Sequence, residues 1–156
     1  MTKYIFDHYA LLYMLEQFPK NIAAELWDSF VRSCDDGTII SHRESQKILE
    51  REAIEQSSLD WSRTHSSLFK ITTTKEACLL GELMEKHTFD FLATPELLQR
   101  RLPEAIPFLL CAAKEQPRIF VYRKNTNIDF MPKIKHICND IDIRLMEVED
   151  CLVRLK

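Results

Sequence analysis

Five short apolar runs, separated by segments with helical patterning, constrain this chain more than any other feature. The runs are "KYIF" (3–6), "TIIS" (38–41), "LFKIT" (68–72), "RIFVYR" (118–123) and "IDIRLM" (141–146). Each is bounded by turn or cap residues and reads as a short buried strand. Between them the apolar residues recur at helical spacing, as Leu11, Leu12 and Leu15 do after the first run. Strands alternating with helices across short links predict an α/β architecture, because each helical crossover returns the chain to begin the next strand in the same direction. The expectation is one three-layer domain over residues 1–156, with a mainly parallel central sheet flanked by helices.

Local signals place the helix ends. Asn21 is a candidate N-cap for a helix with Ile22, Leu26 and Phe30 on one stripe, ended by Gly37. Ser41-His42-Arg43-Glu44 has the capping-box pattern and opens a helix to about Ile54. "SSLDWSRTHSSL" gives a short helix, and Thr74 is a candidate cap for the next. "PELLQRR" (95–101) fits one or two helical turns, and a helix ending at Glu115 begins at Pro103 or Pro107. Pro132 opens another, and "EVEDCLVRLK" closes the chain with a helix. Trp27, Trp61 and the phenylalanines fall mostly at helical spacing and are core candidates.

Composition removes several function classes. Only two glycines occur, Gly37 and Gly81, so a glycine-rich phosphate loop is excluded. A formal charge of −3 gives no global field towards nucleic acid or anionic membrane. No apolar run approaches the roughly 20 residues that span a bilayer, and the N-terminus lacks a signal-peptide pattern. The five cysteines show no CxxC or ligand spacing, which predicts reduced, buried thiols in a cytoplasmic protein. No membrane partner is expected, and self-association is left open.

The order of elements and several strings resemble the PIN domain, the fold of metal-dependent ribonucleases that includes VapC-type toxins. The nearest likeness is to a bacterial PIN-like family of unsettled function. It is carried by "YIFDHYAL", "ELWDSFVRSCDDGTIIS", "SHRESQKILERE", "TKEACLLGELMEK", "PFLLCAAKE", "RIFVYR" and "MPKIKHICNDIDI", which together span nearly the whole chain. The resemblance implies a cluster of three or four carboxylates at the carboxyl ends of the strands. Magnesium or manganese needs such oxygen ligands to polarise a phosphate and activate water.

Only Asp7 matches that pattern clearly. The second acid's place holds Ile48, with Glu44 one turn earlier on the same helical face. The third holds Ile106, with Glu104 two residues upstream, and the fourth holds Tyr122-Arg123-Lys124. The resemblance therefore implies an inherited fold with a weak or lost metal site at Asp7 and no expected cofactor. Such a domain would bind an antitoxin-like protein or RNA in a toxin–antitoxin or mobile-element setting. The alternative is a metal-dependent ribonuclease toxin using Asp7, Glu44 and Glu104.

Each acid also has a structural reading: Asp7 as a helix cap, Glu44 within its capping box, Glu104 in a first helical turn. His8 is expected to be exposed. Arg100-Arg101, Arg123-Lys124 and Lys133/Lys135 are the basic groups available for RNA phosphates. Arg123 or Lys124 is expected beside Asp7, neutralising it.

Overall fold

The computed structural model describes residues 1–89, 105–123 and 131–155. Among them the chain runs β1 (Tyr4–Phe6), α1 (His8–Leu12), a π-helical turn (Tyr13–Gln17), α2 (Ala24–Asp35), β2 (Ile39–His42), α3 (Arg43–Glu52) and α4 (Gln56–Thr64). A 3-10 turn (Ser66–Leu68) leads to β3 (Phe69–Lys70) and α5 (Thr74–Lys86). Then come α6 (Ile106–Glu115), β4 (Ile119–Tyr122), α7 (Met131–Asp140), β5 (Leu145–Glu147) and α8 (Val148–Arg154). The "PELLQRR" helix lies outside the described residues.

The strands form one sheet in the order β3-β2-β1-β4-β5, and every pairing is parallel. β1 is therefore central, with Tyr4 opposite both Ile39 and Ile119. Both faces are covered, which is why β1, β2 and β4 are buried along their whole length. The two-residue periodicity sorts the strand side chains. Ile5, Ile40 and Phe120 enter a cluster with α5, α6 and α7. Tyr4, Phe6, Ile39 and Val121 enter the opposite cluster with α1, α2 and α8. The expected three-layer α/β architecture is present.

Several local expectations require correction. α2 begins at Ala24, and Ile22 is 89% exposed, so the stripe starts at Leu26 and Phe30. Gly37 does end α2, at φ +82, where a side chain would be strained. Thr73 rather than Thr74 caps α5, its hydroxyl accepting from Glu76 N at 3.1 Å. β5 starts only at Leu145, because Asp142 turns the chain at φ +61 before it. Four of the five cysteines are buried free thiols, but Cys78 is exposed on α5. Trp27 and Trp61 pack against the core beside Phe30, as their spacing predicts.

Candidate functional site

In an open parallel sheet, ligands bind outside the carboxyl ends of the strands where the chain's direction of winding switches. Here that crevice lies at the ends of β1 and β4, since β2 and β3 extend to one side of β1 and β4 and β5 to the other. Asp7 occupies it. Its amide donates to Val121 O of β4 at 3.1 Å, which continues the ladder one residue past β1.

The Asp7 side chain then turns back onto its own helix. With extended backbone at φ −79 and ψ 171, it is the N-cap of α1, and Oδ1 accepts from Ala10 N at 2.7 Å. The residue is only 2% exposed. Burial pushes its carboxyl pKa up to about 7, against the opposing pull of the Ala10 and Tyr9 amides.

His8 is wholly buried rather than exposed, its ring 4.3 Å from that of Tyr9. The sequence offers no warning of this, because the helix is too short to display a stripe. Glu44 sits in the first turn of α3, where Oε1 pairs with Lys47 Nζ at 3.0 Å. The capping box drawn on Ser41 is not formed. Ser41 instead donates to Phe6 O at 2.7 Å, tying β2 to the residue before Asp7.

His42 takes over the cap. Its Nδ1 accepts from Glu44 N at 3.0 Å, which leaves the proton on Nε2 to donate to Thr72 Oγ1 at 3.1 Å. The ring also stacks on Phe108 at 5.4 Å. Burial is the main cause that lowers the His42 pKa, with Glu44 pulling it back up and Lys47 adding a smaller downward push. Protonation places a second N–H against the Glu44 amide and destroys the cap. With the folded pKa below the unfolded one, stability is lost as pH falls below about 6.5. His42→Ala should cost about 1–2 kcal/mol near pH 8 and less near pH 5, as urea titrations at the two pH values would reveal. An equal loss at both would remove the titration argument.

Arg123 does not neutralise Asp7. Its Nη1 pairs with Glu149 Oε1 of α8, and its guanidinium lies over the Tyr13 ring, 3.9 Å from the centroid. The π-helical turn supplies that tyrosine. Its Glu16 also accepts from Ile54 N (3.0 Å), Glu55 N (2.8 Å) and Ser58 Oγ (2.9 Å), capping α4, which has no side-chain cap of its own. Neither Tyr13 nor Glu16 carries a sequence signal for these roles.

Lys135 stands over Tyr122 at 5.9 Å. Arg100, Arg101, Glu104 and Lys124 lie outside the described residues. Among the described residues no three His, Cys, Asp or Glu side chains are grouped to hold a metal ion.

A family model described as a domain of unknown function, DUF4411, matches residues 4–156. The chain belongs to the DUF4411 family. No curated protein and no solved structure matches it. The DUF4411 match runs from β1 through α8, so the carboxyl edge around Asp7 falls within the family's domain. Among the described residues of this DUF4411 chain, no helix is long and apolar enough to cross a membrane.

Proposed function

We propose that this chain is a PIN-like domain whose metal site has degenerated and that it acts by binding a macromolecular partner, an antitoxin-like protein or RNA. One observation carries the reading. Ile48 and Ile106, which stand where the PIN resemblance expects the second and third acids, are 0% and 1% exposed in one apolar cluster. An ion beside two such side chains would lack oxygen ligands, and restoring a carboxylate there would bury a charge in the core. The fourth place carries Arg123, already paired with Glu149. Asp7 alone is left, and its Oδ1 serves as a cap.

Metal addition tests the proposal. A working site with a dissociation constant near ~0.1 mM would gain about 2.7 kcal/mol of stability from ~10 mM magnesium. For a domain of this size the melting temperature would rise by roughly 5–11 °C. The expected result is no such rise with magnesium or manganese, and no cleavage of RNA above background. A metal-dependent rise that vanishes in Asp7→Asn would restore the nuclease reading. Affinity capture from the native host would then identify the partner class.

A further inference from the structure

The amino edge of the sheet, opposite Asp7, carries a concentration of positive charge that this acidic chain has nowhere signalled in its sequence. The residues that precede neighbouring parallel strands stand side by side there. Lys3 precedes β1, Arg118 precedes β4 and Arg144 precedes β5. The ladder locks them together: Ile119 N donates to Lys3 O at 3.0 Å, and Phe120 N donates to Arg144 O at 2.9 Å. Lys114, at the end of α6, joins them around a groove of about 300 Å³, in which Asp142 is the one acid among the lining residues.

Three of these four cations are not explained by internal pairing. Among the described residues, Lys3, Lys114 and Arg144 are exposed and make no ion pair. Arg118 is half-buried, and its Nη1 is held by the carbonyls of Tyr4 (3.3 Å), Gly37 (3.3 Å) and Thr38 (3.4 Å). One guanidinium is thus held in place by backbone carbonyls, with three exposed cations lining the same groove. Like charges set on adjacent strands repel each other and lower stability. A bound anion removes that cost.

We propose that this groove binds phosphate oxyanions of the kind carried by a nucleotide or a single-stranded RNA. The chemistry follows from the donors, since guanidinium and ammonium groups together match phosphate oxygens, and Arg presents a planar fork to them. The groove's volume is at the lower end for small-ligand sites, about the size of a single nucleotide. The site is independent of Asp7 and holds whether or not the carboxyl edge has lost its ion.

The test is anisotropy of a labelled single-stranded RNA of about 12 nucleotides, with salt varied from about 50 to 200 mM and inorganic phosphate as competitor. The Lys3→Ala/Arg144→Ala variant, altered only at exposed positions, should weaken binding about tenfold. It should also flatten the log–log salt slope by roughly 1.4, as expected for two lost contacts to a single strand. A control, Lys47→Ala/Lys75→Ala, removes two cations outside the groove and should bind as the unaltered chain does. Displacement of RNA by phosphate would mark a site satisfied by the free ion. RNA binding that resists phosphate would mark the strand as the ligand, and both outcomes sustain the groove. The proposal fails if neither RNA nor phosphate binds at low salt, or if the groove and control variants lose affinity equally. It also fails if Arg100→Ala/Arg101→Ala abolishes RNA binding while the groove variant retains it, a result that leaves the RNA reading itself intact.

Discussion

Asp7→Asn should stabilise the protein near pH 8 by on the order of 3 kcal/mol, although it replaces the carboxylate at the end of the central strand. The carboxyl is buried and its pKa is raised by desolvation to about 7. In the unfolded chain it titrates near 3.9. Between these values the folded protein holds a proton that the unfolded chain has released, so stability falls as pH rises from about 4 to about 7 and is flat above.

The raised pKa corresponds to a penalty of about 4 kcal/mol at high pH, part of which the substitution keeps because the new amide buries an N–H₂. Asn Oδ1 can still accept from Ala10 N, and Asn caps about as well as Asp. The expected rise in melting temperature is roughly 6–12 °C near pH 8, vanishing near pH 4. His42 titrates in an overlapping range with the opposite slope, so the measurement is the difference between variant and parent across pH, in which the His42 contribution cancels. A variant less stable than its parent at pH 8 would mean that the ionised carboxylate is held by a partner, or by an ion.

Phe30→Ala should produce the largest loss among these substitutions, about 3–5 kcal/mol. Phe30 is fully buried where α2 and α4 meet the sheet. Its ring lies 5.7 Å from Phe6, 5.4 Å from Trp27 and 6.0 Å from Trp61, measured between centroids. The neighbours are rings anchored on β1, α2 and α4, so they cannot all collapse into the space left behind, and most of the cavity cost persists. The melting temperature should drop by roughly 6–20 °C. Phe30→Leu, which retains much of the volume, should lose far less. Denaturant unfolding followed by tryptophan fluorescence reads both variants directly, because Trp27 and Trp61 line the cavity. A loss under about 1 kcal/mol would show that this face of the core is loosely packed.

Element order was legible because it rests on local periodicity. The runs around Ile5, Ile40 and Phe120 are apolar on both faces, and residues of that kind fit only strands covered on both sides. Parallel pairing follows from the helices between them. The cap at Asp7 was also legible as one of two readings, since a short carboxylate between a strand and a helix caps by geometry confined to three residues.

What the sequence could not determine depends on atoms far away along the chain. Ser41 and His42 exchanged expected roles because Phe6 O, on the adjacent strand, takes the serine hydroxyl. Thr72, thirty residues on, holds the other nitrogen of the histidine. Arg123 turned from Asp7 to Glu149 and Tyr13 because β5 and the π-helical turn bring those groups to the end of β4.

The proton affinity of Asp7 and the clustering of Lys3, Arg118 and Arg144 are the clearest cases. Desolvation is set by whatever packs around a carboxyl, and strand adjacency places three cations together that stand more than a hundred residues apart in part. Periodicity is a property of neighbours in sequence and decides the elements. Electrostatics acts through space, and only the folded arrangement of β1, β4 and β5 decides which charges meet.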